Sequence, residues 1–373
     1  MSEFPSNNKN SSPTEKEKRF ELKTGLKTLT SFLHEQKGEP NEDAAYLNKA
    51  AGIIAVFDGV GGAPAGHLAS REARSVLDPA LSNDLIQPFF ENIETPLTEA
   101  KVKQAGRTLL KRMTSKLTDL SSNPDPDLQK AISDYAAKRF SKSLQRELDP
   151  SNPQDQSYFE LAASAISTTV SMAKLWTSED HKHYITTFQI GDSSVYRLRS
   201  GKLEKITKDD SYITSLVDAK LIPSEAEYST LTADNKEAPD YIQLTIKTDA
   251  IKNMKPADPN LLHIINFLPD SPEEITVESI RRYVTLSMNN KLRGALAARI
   301  TTTEAEDGDV FLAMTDGITD NLTHQEMTDI IERAKGSPEH IATLLTTFAN
   351  QRSMSTHPRA KLDDMTVSVM AIV

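Results

Sequence analysis

Short apolar runs and longer amphipathic segments alternate along the 373 residues of the chain. The run 53–57 is apolar throughout and leads into Asp58-Gly59, which predicts a buried strand that ends in a glycine turn. From Ala65 onward, apolar positions recur at helical spacing, so a helix is predicted directly after the turn. The pattern therefore places one carboxylate at a strand end, where its position is well determined.

The rest of the pattern separates helical from extended segments. Amphipathic spacing predicts helices at 95–120 and 127–148, with Thr95-Pro96 as the first cap and prolines between the two helices. Short strands with tight turns are predicted next, at 168–175, 184–190, 195–198 and 203–206. The pattern closes with a strand at 310–315, helices near 324–335 and 338–349, and a strand at 365–373. Helices between groups of antiparallel strands predict an α+β fold in which helices cover a β-sandwich.

Two regions do not follow this layout. Residues 1–18 are rich in Ser, Asn, Lys and Glu and are predicted to form a flexible tail, because they can bury little apolar area. Residues 221–290 combine Pro and Asp with one apolar run, 261–268, and are interpreted as an insertion. The chain from 19 to 373 is predicted to form one domain.

Composition narrows the classes of function. The chain carries 43 basic and 53 acidic residues, a net charge of -10, so a nucleic acid is not the predicted partner. It has no cysteine, which excludes disulfides and thiolate ligands and agrees with a cytoplasmic location. No run approaches the roughly 20 apolar residues of a membrane-spanning helix. We therefore expect a cytosolic protein, or one that acts in a host cytosol if it is exported, in which any metal is held by oxygen or nitrogen ligands. We also expect a monomer.

Acidic residues accompany several of the apolar strands. Glu42-Asp43 precedes the strand that ends at Asp58, and Asp316 and Asp363 stand beside two strands far downstream. Carboxylates brought together repel one another unless a cation compensates them. All-oxygen ligation favours hard ions such as Mg²⁺ or Mn²⁺. The sequence therefore predicts one polycarboxylate metal site.

The glycine turn has two other interpretations. A single Asp-Gly pair is far more often a turn signal than a metal ligand. The segment 59–62 also resembles a dinucleotide-binding loop, since it follows a strand and precedes a helix. Pro64, however, stands where the third glycine of that motif belongs.

Five separated motifs resemble those of the metal-dependent protein serine/threonine phosphatases of the PPM, or PP2C, family, in the same order along the chain. They are Asn41-Glu42-Asp43-Ala44, residues 56–62, residues 189–197 with the segments 201–203 and 206–211, residues 308–320, and residues 363–367. The resemblance implies an αββα sandwich of two antiparallel sheets flanked by helices. It also places a helical insertion at about 80–160 and a second insertion, in the region of a movable flap, at about 221–290.

The resemblance assigns roles to the acidic residues. Asp58 would bridge two ions, the Gly59 carbonyl would bind one of them, and Asp316 and Asp363 would complete the other. Glu42 and Asp43 would act directly or through water, and Asp192 matches a residue that holds a third metal in many members. Asp192 could instead only stabilise a turn. The implied activity is hydrolysis of phosphoserine and phosphothreonine on a phosphorylated protein substrate, with Asp58, Asp316 and Asp363 as the catalytic residues.

The sequence departs from the family pattern at two places. Gly38 stands where an arginine usually grips the substrate phosphate, and Lys37 is the nearest cation, although it could equally be a solvated surface residue. Val60 stands where some members carry a proposed general-acid histidine. These departures leave a second hypothesis open, a phosphatase-like binding or regulatory scaffold with little turnover.

Overall fold

The computed structural model describes residues 21–232, 239–253, 273–281, 286–289 and 298–373. The predicted tail at 1–18 and the apolar run 261–268 lie outside the described residues. Within the described ranges, two five-stranded antiparallel sheets pack face to face, and helices cover both outer surfaces. This confirms the predicted αββα sandwich.

The described strands, in chain order, are β1 (Leu22–Leu29), β2 (Asp43–Asn48), β3 (Ile53–Asp58), β4 (Val170–Thr177), β5 (His183–Ile190), β6 (Ser194–Arg199), β7 (Lys202–Lys205), β8 (Thr245–Lys247), β9 (Glu274–Thr276), β10 (Arg299–Ala305), β11 (Val310–Met314) and β12 (Met365–Ile372). One sheet has the order β1-β12-β11-β6-β7, and the other has the order β10-β5-β4-β3-β2. The strands β8 and β9 form a separate two-stranded antiparallel sheet.

The described α-helices are α1 (Phe32–Lys37), α2 (Gly66–Ser75), α3 (Gln87–Phe90), α4 (Glu99–Ser122), α5 (Pro126–Leu144), α6 (Gln156–Ala163), α7 (Tyr212–Asp218), α8 (Glu225–Thr232), α9 (Thr248–Lys252), α10 (Val277–Ile280), α11 (Asp316–Thr319), α12 (His324–Arg333) and α13 (Pro338–Ser353). Short 3₁₀ helices span Pro79–Leu81 and Tyr241–Gln243. Among the described residues, no helix is both long and apolar enough to span a membrane.

The start predicted for the first long helix was wrong. Helix α4 begins at Glu99, because the side chain of Thr98, rather than that of Thr95, accepts the first-turn hydrogen bond from Lys101 N at 3.4 Å. The preceding residues are bound to strand β4 instead, with Leu97 N donating to Thr177 O at 2.8 Å. The second long helix, α5, is confirmed, but it ends at Leu144 rather than at 148, because the backbone of the next residue, Gln145, is in the left-handed conformation.

The core consists of layers that follow from the strand patterns. Strands β4, β11 and β12 are buried at every position, because one face of each meets the opposing sheet and the other meets helices. Helices α2 and α4 pack outside the sheet that contains β3, and α12 and α13 pack outside the sheet that contains β12. A further apolar cluster, formed by parts of 212–280, is separate from these layers. We call the described parts of 212–281 the flap region.

Candidate metal centre

Strands β2 and β3 bring four of the predicted ligands to one end of their sheet. Asp43 and Asp58 are directly opposite each other in the antiparallel register, and Gly59 N donates to Glu42 O at 3.1 Å. Gly59 has no space for a side chain, since a Cβ there would lie 2.3 Å from the backbone of Gly66 at the start of α2. The glycine therefore lets the helix pack directly against the strand end that presents Asp58.

The backbone of Asp58 is held on both sides by the residues that precede β4. Its carbonyl accepts from Thr169 N at 2.7 Å and from the Thr168 hydroxyl at 2.8 Å, and its N–H donates to Thr169 Oγ1 at 3.1 Å. Neither threonine was predicted as a site residue. These bonds fix the strand end from which the Asp58 carboxylate projects.

The other sheet contributes acids from the ends of β11 and β12. Asp316 begins α11 directly after β11, Asp320 follows that helix, and Asp363 lies in the loop before β12. Thr315 Oγ1 donates to Asp43 Oδ2 at 2.9 Å, which joins the acids of the two sheets. Both sheets therefore deliver their acids to the same end of the sandwich, as the sequence predicted.

The carboxylates of the two sheets raise one another's pKa values. Burial raises the pKa of Asp58 well above its ordinary value, and repulsion from Asp43, Asp316, Asp363 and Asp192 raises it further. Burial is also the main reason why the pKa of Asp43 and that of Asp192 are raised well above their ordinary values. A cluster of this kind favours a cation that compensates the charge.

Glu42 shares this electrostatic environment. The pKa of its carboxyl is raised to about 7, mainly because the group is buried. The nearby His34 lowers this pKa, and Asp364 and Asp363 raise it. Ionised Glu42 is therefore costly unless a positive charge approaches it.

Two buried carboxylate oxygens without a hydrogen bond indicate that these residues suit a metal ion. Asp43 Oδ1 and Asp316 Oδ1 are buried and make no hydrogen bond within the described part of the chain. Buried oxygens without a partner are costly and suit a cation, and an all-carboxylate donor set suits Mg²⁺ or Mn²⁺. As arranged, however, no three His, Asp or Glu side chains of the described residues stand close enough together to hold one ion. The donor set fits a divalent ion, but its side chains would have to turn to bind one.

A lysine that the sequence did not predict occupies part of this space. Lys361 Nζ lies 2.9 Å from Asp320 Oδ2 and 3.0 Å from Asp363 Oδ2, and it also pairs with Asp316 Oδ2. Burial alone would lower the pKa of Lys361, but attraction by these carboxylates raises it well above its ordinary value. The ammonium therefore stays charged inside the acidic cluster.

Asp364, next to the predicted ligand Asp363, has a structural role. It is 1 % exposed, and its carboxylate accepts from Ser31 N at 2.7 Å and from Glu42 N at 2.6 Å. Its Oδ2 also lies 2.9 Å from His34 Nδ1. Asp364 thereby fixes the segment that carries Glu42.

The structure does not bring Lys37 to the acidic cluster. Its side chain is half-exposed at the end of α1, and its ammonium lies 3.6 Å from the equally exposed Glu39. Asp192 does face the cluster, because it lines a cavity of about 450 Å³ together with Asp316 and Asp320. The remaining walls of this cavity come mostly from β6, β7 and the flap region.

Two buried arginines connect the flap region to the loop before β12. Arg359 is 2 % exposed, and its guanidinium bonds both oxygens of Asp240, at 2.9 and 3.0 Å, and also Glu225. Arg281 donates to the carbonyls of Asp320 and Arg359 at 3.0 and 3.3 Å. The flap region is thus bound to both segments that carry the downstream acids.

A sandwich with buried carboxylates from both sheets at one end is the architecture of metal-dependent protein serine/threonine phosphatases. The sequence model of the protein phosphatase 2C family matches residues 33–363, and the chain belongs to that family. The chain is therefore a metal-dependent protein serine/threonine phosphatase, as its motifs predicted. A search of curated proteins finds no match.

Solved structures of bacterial phosphatases share the fold. Stp1 from Staphylococcus aureus is 18% identical, with a TM-score of 0.53, and the match covers 95% of this chain and 96% of that chain. The serine/threonine phosphatase of S. agalactiae is 16% identical, with a TM-score of 0.53 and coverage of 95% and 100%. The Mycobacterium tuberculosis phosphatase PstP/Ppp is 19% identical, with a TM-score of 0.50 and coverage of 94% and 98%.

Proposed function

We propose that the acidic cluster at the end of the sandwich holds two divalent ions, Mg²⁺ or Mn²⁺, and hydrolyses phosphoserine and phosphothreonine in proteins by direct attack of water. The observation that carries the proposal is the convergence of buried carboxylates from both sheets, whose pKa values are raised by burial and by one another. When bound, such ions neutralise phosphate charge and make water a stronger nucleophile near neutral pH.

The residues of the chain take distinct parts in this proposal. Asp58 is paired with Asp43 on one sheet and is repelled by Asp316 and Asp363 of the other, so it would contact both ions, while the Gly59 carbonyl would contact one. Asp316 and Asp363, from the opposite sheet, would hold the other ion. Asp43 has one oxygen fixed by Thr315 and one without a hydrogen bond in the described chain, so it can still accept a bond.

The remaining predicted ligands lie at the edges of the cluster. Glu42 is positioned through its backbone N–H by Asp364, and its carboxyl would act directly or through water. Asp192 lines the cavity beside Asp316 and is the candidate for any third ion. The same cavity borders the flap region, which supports a role in receiving the phosphorylated protein chain. Lys37 has no support as the phosphate clamp, since it pairs with Glu39 instead.

Phosphothreonine peptide hydrolysis tests the proposal. Purified protein is assayed with Mn²⁺, with Mg²⁺ and with EDTA, next to Asp58→Asn, Asp316→Asn and the matched exposed control Asp134→Asn, whose carboxylate is 66% exposed. We expect both site variants to lose at least about 100-fold in kcat, because charge stabilisation at the reacting phosphate is lost, and the control to match wild type. A wild type no faster than Asp58→Asn would refute the proposal.

The ammonium of Lys361 inside the cluster favours a second candidate, a phosphatase-like scaffold with little turnover. Calorimetric titration with Mn²⁺ separates the two functions. Ion binding without peptide hydrolysis would support the scaffold, and binding with hydrolysis would support the enzyme. Absence of binding at millimolar Mn²⁺ would contradict both.

A further inference from the structure

Lys361 places a positive charge where carboxylates from two segments meet. Its side chain is 8% exposed, and its ammonium contacts Asp316, Asp320 and Asp363. A protonated ammonium has three N–H donors and no acceptor, so each donor can bond one of the three carboxylates. It uses lone pairs that a divalent ion would otherwise use.

The backbone around Lys361 is as well fixed as its ammonium. Lys361 N donates to Asn321 Oδ1 at 3.0 Å, and Asn321 Nδ2 donates back to Lys361 O at 2.9 Å. Asn321 is fully buried and also bonds Gly317 O at 2.9 Å within the turn of α11. The stem of Lys361 therefore starts from a fixed point beside Asp316 and Asp320, and its reach into the cluster is part of the fold.

The ammonium divides the acidic cluster into two parts. Asp43 and Asp58, together with the Gly59 carbonyl, have no contact with it among the described residues. Asp316 and Asp320 line one cavity together with Asp192, so a third ion beside Asp192 would also meet these two acids. Both are already paired with a cation from the chain itself, as is Asp363 Oδ2. Asp316 Oδ1 makes no hydrogen bond within the described residues and stays open to a principal ion.

We propose that Lys361 is a built-in cation that takes the place of a third divalent ion beside Asp192, Asp316 and Asp320. The inference rests on the proposed two-ion function, and it states that this chain binds two ions and no third. Loss of the charge would open the third position, while the two principal positions would remain.

Metal counting by equilibrium dialysis tests this inference. The full chain is dialysed against Mn²⁺ as wild type, as Lys361→Met, which has similar length and no charge, and as Lys361→Arg, which keeps the charge. We expect two ions for wild type and Lys361→Arg and one additional, weaker ion for Lys361→Met. The double variant Lys361→Met/Asp320→Asn should lose the additional ion and keep the other two.

Thermal unfolding in EDTA gives a second measurement. Removal of the ammonium leaves Asp316, Asp320 and Asp363 without compensation, so we expect Lys361→Met to unfold at lower temperature than wild type and to recover fully with Mn²⁺. If Lys361→Met does not fold in EDTA, refolding it in Mn²⁺ before dialysis still gives the ion count.

Three results have distinct meanings. Equal ion counts in wild type and Lys361→Met would overturn the inference. Tighter binding of the same two ions in Lys361→Met would overturn it too, because the lysine would then compete at a principal position. A wild type that binds no Mn²⁺ would instead refute the two-ion function on which the inference rests.

Discussion

Glu42 provides a quantitative test of the electrostatics of the cluster. The change is Glu42→Gln, which keeps the shape of the side chain and removes its charge. In the metal-free protein, burial and the neighbouring Asp364 and Asp363 oppose ionisation of Glu42, whereas His34 favours it. We expect the variant to be more stable than wild type at alkaline pH when divalent ions are absent.

The magnitude follows from the pKa of Glu42, which rises from 4.5 to about 7 on folding. The folded protein holds the Glu42 proton to higher pH than the unfolded chain, so the free energy of unfolding falls as pH rises from about 4.5 to 7. Each pKa unit corresponds to about 1.4 kcal/mol, so the rise from 4.5 to about 7 gives about 3.5 kcal/mol. Partial exposure of Glu42 reduces this to about 2–3 kcal/mol above pH 8.

Urea unfolding in EDTA at pH 4.5 and pH 8.5 measures this difference. Glu39→Gln is the matched control, since Glu39 is half-exposed three residues earlier and its ion pairs contribute little. Glutamine at 42 should raise the free energy of unfolding at pH 8.5 and leave it nearly unchanged at pH 4.5, and Mn²⁺ should remove the advantage. Parallel pH curves for wild type and Glu42→Gln, or a less stable variant at pH 8.5, would refute the reasoning.

Two further predictions concern the frame around the site. Arg359→Met removes a guanidinium that is 2 % exposed and pairs with two carboxylates of the flap region. Urea unfolding should therefore show a free energy of unfolding that is lower by about 3 kcal/mol. Lys130→Met, at an exposed pair, should not change the midpoint, and equal effects would contradict the importance of burial. Gly59→Ala should destabilise by about 1–3 kcal/mol, because its Cβ would meet backbone at 2.3 Å. Gly61→Ala, with its nearest contact at 3.7 Å, is the control, and a Gly59→Ala as stable as that control would show that the contact relaxes.

The sequence predicted the strands that are buried on both faces and the edge strand β7, and it missed the edge strands β1, β2 and β10. β3 and β11 are continuous apolar runs, and each leads directly to a candidate ligand, so strand and ligand could be found together. β1 and β10 are edge strands, and most of their positions are at least partly exposed. Their residues alternate only weakly between apolar and polar, which gives little periodic signal.

The residues missed at the site have partners that are distant in sequence. Asp364 bonds Ser31 and Glu42, which precede it by 333 and 322 residues, and no local pattern indicates such contacts. Lys361 was also missed, because no feature of the sequence distinguishes a lysine two residues before Asp363 from an ordinary surface lysine. Only the folded arrangement of Asp316 and Asp320 around it reveals its role.

The pairing of β1 with β12 determines when the site can exist during synthesis. Leu22 pairs with Ile372 and Leu29 with Met365, so the first described strand has no sheet partner until the ribosome has passed residue 372. Segments synthesised earlier, including β3 with Asp58, can fold before that point. The nascent chain therefore holds an incomplete set of acids and no completed reaction centre. Hydrolysis can begin only after β12 has been synthesised and inserted between β1 and β11.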